Sequence, residues 1–559
     1  MAPILPPNLD ASWHNDTVLQ LRTSKMKPMH NLSISTGIYK QPRTTRVFCS
    51  STGLESDEHD PTFHGGVDKA VHQYYPGHYP SWRTEYPSAS NFEPGGFGEN
   101  IVSEHMNERN VCIGDIIRIG DVLLQVSLPR QPCFKLNHRF GLKNFASQTW
   151  KKSRTGWYYR VLEEGWMGVG DRIELVERRY ESWTIERVQE YLHRDKGNLE
   201  MLIQLEQIPE FGDECKKAFK RMVTTLRAAE AEKNKPKEPE KWEEYTLLSK
   251  TTETPRISSF IFSNPSKSGH GEEGDEELDP GCFVRLKLPN GLLRSYSIVS
   301  GSRSKFTLGV ALDEHSRGGS KYLHETLHEG DTILVGKITE SVPIKSQFSN
   351  HIFIAGGIGI TAFLGHMDIY DKINFNYTLH FAVRSKEDVP FKERIEGLRR
   401  RGRVVLYEAD KGVRMDIEGV LREKVWGSCV YTCGPLRMIE GVERAVEKLG
   451  MGEDEVHYEA FKVDSSGDPF VVEVVKDGEG EGEGKVIDIP GDKTLLQCIR
   501  EAGLEIDSSC EVGNCGACRV TVKEGQVEHR GSALSKEDKE EGGMLSCVSR
   551  GTGRIKIEW

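Results

Sequence analysis

The sequence predicts a multidomain chain: a β-rich barrel with a small helical bundle, an antiparallel β-barrel, an α/β domain and a terminal α+β domain. Three observations predict it. The 559 residues suit roughly three or four domains, each with its own core. The periodicity changes in blocks, from Gly- and Pro-bounded strand runs to helical spacing and back, then to a buried strand that leads through glycines into a helix. The C-terminal segment gathers Cys510, Cys515 and Cys518 as C-x4-C-x2-C, with Cys547 after 28 further residues.

Composition bounds the function. Lys and Arg total 74 and Asp and Glu 85, for a net charge of −11 with 28% of residues charged. Such a balance gives no basic footprint for nucleic acid. No apolar run reaches the about 18 residues of a membrane helix, so neither nucleic acid nor membrane is expected as a partner. The twelve cysteines are scattered apart from the terminal group, which suits a reducing compartment. No signal peptide is expected, and a cytoplasmic location follows. A mitochondrial presequence is the alternative, since Arg22, Lys25 and Lys27 precede the first module, offset by Asp10 and Asp16.

Taken in order, residues 1–30 read as an N-terminal extension and 31–181 as the first β-rich module. Residues 182–232 form three helices, opening at Thr184-Ile185, Asn198-Leu199 and Phe211, with Leu192, Leu199, Leu202 and Ile203 as an apolar seam. A packing or dimerising bundle is expected there. The Pro-broken, charged stretch KNKPKEPEK marks a linker at 233–241. Residues 242–345 carry the runs Cys282–Leu288, Arg294–Ser300 and Lys305–Ala311 of a β-barrel, with a surface loop from Ser263 to Asp279. Residues 346–464 form the α/β domain and 465–559 the terminal domain. In the latter, the Gly-Glu repeat near 477–484 enlarges a hairpin turn between Phe470–Val475 and Lys485–Ile489.

A binuclear iron cluster needs four thiolates on two irons, with small residues between them so that backbone N–H groups reach the sulfurs. Cys510 through Cys518, interleaved with Gly513, Gly516 and Ala517, supplies both, and Cys547 completes the set. Zinc prefers paired CxxC or Cys/His ligands, and disulfides need an oxidising compartment.

Upstream, Arg294-Ser295-Tyr296-Ser297 sets an aromatic and hydroxyls on a strand, fit to lie against a flavin ring, with arginine for the cofactor phosphate. Arg317-Gly318-Gly319-Ser320 precedes a helix expected from Lys321 and offers N–H groups to the same phosphate. The strand His351–Ala355 enters Gly356-Gly357-Ile358-Gly359-Ile360-Thr361, a strand, glycine turn and helix that lets a pyrophosphate approach. The strand Tyr377–Val383 ends at Arg384-Ser385-Lys386, where an adenosine ribose would lie. The strand Cys429–Thr432 ends at Cys433-Gly434-Pro435, whose thiol could approach a nicotinamide ring; Glu459 and Phe461 follow.

This ordered set resembles the ferredoxin–NADP reductase superfamily over residues 242–559, most closely the phthalate dioxygenase reductase type with its C-terminal plant-type [2Fe–2S] ferredoxin of β-grasp fold. The resemblance implies FMN rather than FAD and leaves NADH or NADPH open.

The front module holds His64-Gly65-Gly66-Val67-Asp68-Lys69, Phe97-Gly98-Glu99-Asn100, Ile113-Gly114-Asp115, Pro129-Arg130-Gln131-Pro132-Cys133, Gly156–Val161 and Gly170-Asp171. These resemble the MOSC domain of the stand-alone bacterial type with a three-helix tail. Prolines stiffen the approach to Cys133, and Arg130 beside it favours the thiolate, a soft ligand for a sulfur-rich metal centre. The resemblance implies a molybdenum cofactor with Cys133 as metal ligand or persulfide carrier and Arg130 as its catalytic neighbour. His64, Lys69, Glu99 and Asn100 join the cofactor-binding set; Gly98, Gly114 and Gly170 shape turns, and His72 and His78 have no assigned role. The expected activity is NAD(P)H-dependent reduction of a small N-hydroxylated substrate, with electrons passing through flavin, cluster and molybdenum. The alternative is a reductase serving a separate electron-acceptor protein, its MOSC part a sulfur carrier or docking module.

Overall fold

The computed structural model describes residues 9–558 apart from 61–64, 90, 234–240, 265, 267–276, 290, 314–317, 343, 346, 374, 462–464, 476–483 and 505. His64, Arg317, most of the 233–241 linker, much of the 263–279 loop and the Gly-Glu turn lie outside the described residues.

Exposed and buried residues alternate at the start of Asn15–Thr23, the period of a strand with one wet face. It pairs with Ile101–Ser103 and with Arg172–Glu177. The second pairing closes a ring that continues through Ile116–Ile119, Val122–Pro129, Trp157–Glu163 and Val71–Gln73. An N-terminal extension reaching residue 30 is therefore corrected: Asn15–Thr23 is part of the front barrel, because only a strand there can satisfy the edge groups of both neighbours. The chain after it makes an excursion to the α/β domain before Gln41–Arg43 returns to pair with it. Met29, Leu32 and Ile34 join Phe134 in the hydrophobic core of the α/β domain.

The first two helices follow the expected starts, and the third opens two residues after the expected Phe211. Thr184 caps Ile185–Gln189 by accepting from the Arg187 N–H, and Asn198 caps Leu199–Glu206 through the Met201 N–H; Asp213–Lys233 is the third. Val188, Leu192, Leu202, Leu205, Phe219 and Val223 share one core with the front barrel. The bundle's apolar seam is thus spent on its own module.

Glu243–Thr252, Ile257–Ser263, Lys305–Ala311, Leu293–Gly301, Cys282–Lys287 and Thr332–Glu340 close a second, six-stranded barrel in that spatial order. The α/β domain has five parallel strands ordered Val404–Glu408, Tyr377–Val383, Asn350–Gly356, Ser428–Cys433 and Val456–Glu459. Asn350–Gly356 is buried along its whole length, as a central parallel strand covered on both faces must be. Two local expectations change. Gly357–Ala362 is a 3-10 helix rather than an open turn, and the α-helix starts only at Leu364. The short helix after Gly318 starts at Gly319, not Lys321. In the terminal domain Phe470–Val475 pairs antiparallel with Lys485–Ile489 and parallel with Arg550–Glu558.

The α/β domain lies between the outer modules, and the two joints differ. On the front side Phe134 meets the Phe375 ring edge-on at 5.4 Å, Asn137 Nδ2 donates to the Gln347 carbonyl (2.8 Å), and Lys143 pairs with Glu455 (2.8 Å). On the terminal side Asn514 Nδ2 donates to the Ala460 carbonyl (2.8 Å) and the Ser532 hydroxyl to that of Tyr458 (3.0 Å).

Candidate functional site

Pairing of Arg519–Glu528 with Gly543–Leu545 sets Arg519 opposite Leu545 and so brings the preceding Cys518 to Cys547, with 3.1 Å between their sulfurs. The Ser546 hydroxyl, donating to the Cys518 carbonyl at 2.9 Å, fixes that approach. Cys510 and Cys515 form a second pair: the Cys510 N–H points at the Cys515 sulfur (3.4 Å), and the N–H groups of Val512 and Asn514 at the Cys510 sulfur (3.5 and 3.3 Å). The loop can wind this tightly because Gly513 (φ +81°) lies where a Cβ would be 2.8 Å from the Gly531 Cα. Hydrogen bonding from Cys510 lowers the Cys515 thiol to about 6, and that with Cys547 lowers Cys518, while Cys510 and Cys547 are raised by the same contacts. Each pair therefore holds one favoured thiolate. All four cysteines are unbridged. Two pairs of thiols with N–H donors around them fit a binuclear cluster.

The flavin motifs converge from separate elements. Arg294, Tyr296 and Ser297 stand on Leu293–Gly301, and burial pushes the Tyr296 phenol up to about 12. Gly318 (φ +96°) caps the short helix opened by Gly319 and Ser320. A Cβ on Gly319 would be 2.7 Å from Arg294 Nε, so the guanidinium lies against the glycine backbone. A cation beside helix N–H groups suits a phosphate. Successive strand residues face opposite ways, and Ser295, between Arg294 and Tyr296, donates from its hydroxyl to the Ser509 carbonyl (3.3 Å). Ser509 precedes Cys510, so flavin motif and cysteine loop are one strand thickness apart.

At the C-terminal ends of the parallel strands, Ala355, Cys433 and Glu459 are register partners in sequence across three strands. This is the edge beside which the chain, having added Tyr377–Val383 on one side of Asn350–Gly356, adds Ser428–Cys433 on the other; such switch points bind ligands. The glycines are packed rather than loose: a Cβ on Gly356 would meet the Pro435 ring at 2.7 Å, one on Gly434 would meet the Gly356 N at 3.1 Å, and one on Gly359 would overlap the Cys433 carbonyl. Gly357 takes φ +54°. Thr361 is buried, and its methyl approaches Gly309 of the barrel so closely that a Cβ there would be 2.6 Å away. Cys433 is fully buried, and burial holds its thiol protonated. Glu459 accepts from the Ser341 hydroxyl at 2.7 Å. Arg384 and Phe461 are exposed.

The front module holds a half-open cavity lined by Cys133, Arg130, Lys69 and Asn100 together with Lys40, Asp57, His59, Asp60, His72, Lys135 and Tyr158. Cys133 sits in extended backbone at the start of the helix Phe134–Phe140. Arg130 is 4% exposed, and its Nε and Nη1 have no hydrogen-bond partner in the structure. Its guanidinium stands 5.7 Å from the Phe97 ring centroid. An arginine is always charged, and leaving it buried without acceptors is costly, so an anionic acceptor in this cavity would stabilise it. The neighbouring cations are balanced already: Lys40 bonds Asp57, Lys135 lies 3.3 Å from Asp60, and Lys69 pairs with Glu214. Glu99 does not line the cavity. Its carboxylate accepts from the Tyr79 hydroxyl and from the N–H groups of Gly95 and Phe97, and so holds its own loop. His72, left without a role by sequence, lines the cavity with an unpartnered Nε2, whereas His78 is a buried partner of Glu108 (2.7 Å). Lys40, Asp57, His72 and Lys135 were missed because they come from four segments with no shared motif; only Lys135, two residues beyond Cys133, carried a local signal.

Residues 60–174 match the family described as the MOSC domain, and residues 479–552 the 2Fe-2S iron-sulfur cluster binding domain. A reductase of Gibberella moniliformis is 35% identical over 97% of this chain and 95% of its own. The heme-dependent oxidative N-demethylase beta subunit of Ectopseudomonas mendocina is 32% identical over 54% of this chain and 93% of its own. The carnitine monooxygenase reductase subunit of Escherichia coli is 31% identical over 49% and 86%.

Proposed function

Given that the chain belongs to the family of the Gibberella moniliformis reductase, and that its MOSC match precedes its 2Fe-2S match, we propose that it passes electrons from NAD(P)H to a molybdenum cofactor in the front cavity and reduces N-hydroxylated compounds there. When bound, the nicotinamide supplies a hydride, the flavin divides the electron pair, and the cluster carries single electrons. The observation that carries this reading is the buried, unpartnered Arg130 in one cavity with Cys133. Arg130 would take the cofactor's anionic group and Cys133 would offer a soft sulfur to its metal. On the reductase side, Arg294 with Gly318, Gly319 and Ser320 would hold a single phosphate, which favours FMN over FAD. Tyr296 would lie along the flavin ring, and Gly356, Gly359 and the Cys433–Pro435 turn would admit the nicotinamide. Reduction of an N-hydroxyl group takes two electrons from NAD(P)H and two protons from solvent, and releases water.

A second reading also has support. Cys515 is only half-buried, and the E. coli relative is named as a reductase subunit of a monooxygenase, so the cluster would serve a separate acceptor protein. One experiment separates the two. Protein from a host that makes molybdenum cofactor is expected to carry stoichiometric molybdenum, and Cys133→Ala to lose it together with NAD(P)H-driven reduction of a hydroxylaminopurine, while cytochrome c reduction persists. Molybdenum-free wild-type protein from that host would leave the second reading standing.

A further inference from the structure

Arg285 is a buried cation that the reductase motifs do not account for. It stands on the barrel strand Cys282–Lys287 and is 5% exposed. A guanidinium is costly to bury unless its donors are satisfied, and those of Arg285 reach across a domain boundary. Its Nη1 donates to the Ser508 carbonyl at 2.9 Å, and its Nη2 is 3.8 Å from the Glu511 carboxylate. Ser508 and Glu511 flank Cys510 within the cysteine loop. Glu511 has φ +56°, a left-handed conformation costly for a residue with a Cβ. It is held there from two sides, by Arg285 and by Arg500, whose Nη1 donates to the same carboxylate at 2.9 Å.

The register shows why this grip is rigid. Arg285 is opposite Ser295, and Phe283, two residues along, is opposite Thr339. Ser295 donates to the Ser509 carbonyl at 3.3 Å, and the Thr339 and Ser509 hydroxyls are 3.0 Å apart. Three adjacent strands thus present one polar row to Ser508 and Ser509, with Tyr296 of the flavin motif on the opposite face of the strand that carries Ser295. Only Arg285 in this row brings a charge.

The geometry points to Arg285 as a positioning residue for flavin-to-cluster electron transfer: it clamps the residues on both sides of Cys510 against the barrel and sets a fixed positive charge beside the cluster site. This rests on the proposed electron path through flavin and cluster. The step it serves makes and breaks no bond. A bound, two-electron-reduced flavin would supply electrons singly, each to an oxidised cluster, and its protons would leave to solvent. A nearby cation favours the more negative, reduced cluster, so its removal moves the midpoint potential to more negative values.

The test is stopped-flow reduction of the holoprotein by NAD(P)H, with a redox titration of the cluster followed by its paramagnetic signal. In R285M, flavin reduction and ferricyanide turnover are expected at wild-type rates. Cluster reduction is expected to slow by at least about tenfold, as for the loss of one charge-assisted hydrogen bond, and the cluster potential to fall. R285K keeps the charge but not the fork, so the potential is expected to recover while the rate stays low. Wild-type rate and potential in R285M would overturn the assignment. Should R285M lose its iron, R285K decides alone, slow cluster reduction with full iron supporting the clamp and a wild-type rate overturning it. A wild-type protein whose cluster NAD(P)H does not reduce would overturn the electron path as well, a separate and recognisable result.

Discussion

At the residue scale, missing side chains shape the sites as much as present ones. Gly513 combines φ +81° with the close approach of Gly531. Gly513→Ala would add a left-handed cost of about 1–2 kcal/mol to a backbone overlap, inside the loop that must hold three thiolates. The expected outcome is a fall in iron and acid-labile sulfide per chain, with the flavin absorbance unchanged; full iron occupancy would mean the loop can rewind. Buried histidines give a pH signature. Burial pushes His351 down to about 3 and His366 to about 4, whereas an unfolded imidazole titrates near roughly 6.5. Below that value the unfolded chain binds protons that the folded α/β domain refuses. The stabilisation is therefore complete above about pH 6.5 and is lost as pH falls toward 4. Thermal melts are expected to drop steeply between neutral pH and pH 5, and His351→Phe, which keeps the stack on Phe375 (5.3 Å), to flatten that slope. An equal slope in the variant would assign the acid sensitivity to other groups.

At the element scale, the helix Phe134–Phe140 does two things. Its first turn begins at Cys133 and so aims the cavity's thiol, while Phe134, only 2% exposed, packs into the core of the α/β domain. Phe134→Ala removes a fully buried ring, a change worth roughly 3–5 kcal/mol, and removes it where two modules share a core. Calorimetry is expected to show the front module melting earlier and separately from the α/β domain. A single unshifted transition would show that the polar contacts of Asn137 and Lys143 suffice to hold the joint.

For the whole molecule, the two joints of the α/β domain contrast. The front joint buries Met29, Leu32, Ile34 and Phe134 in a common core; the terminal domain meets the α/β domain through hydrogen bonds of Asn514 and Ser532 and meets the flavin barrel through Arg285 with Ser508 and Glu511. Apolar joints are insensitive to salt, whereas the Arg285–Glu511 pair is partly screened through the exposed Glu511 carboxylate. Cytochrome c reduction, which needs the cluster, is therefore expected to fall with rising ionic strength more than ferricyanide reduction at the flavin. Parallel salt dependence of both would show that the terminal joint is not held by charge.

Much of this architecture was legible because local chemistry and fold agree. Cys510, Cys515, Cys518 and Cys547 announce themselves by spacing, since a loop that must aim N–H groups at sulfur has few sequence solutions. The Tyr377–Val383 and Phe470–Val475 runs coincide with the observed strands because their alternation or burial is uniform. The strand Asn15–Thr23 carried the same period but stood outside any motif, and only its pairing with Arg172–Glu177 shows that it belongs to the barrel. By itself the sequence determined which chemistry the chain can hold: four thiolates, a phosphate cradle and a cysteine beside an arginine. Tertiary structure decided which groups face one another. It turned Glu99 inward to its loop, brought His72 and Lys40 to the cavity of Cys133, and laid Arg285 across the boundary to Cys510. Such meetings depend on strand register and domain docking, which join residues hundreds of positions apart and leave no trace in local spacing.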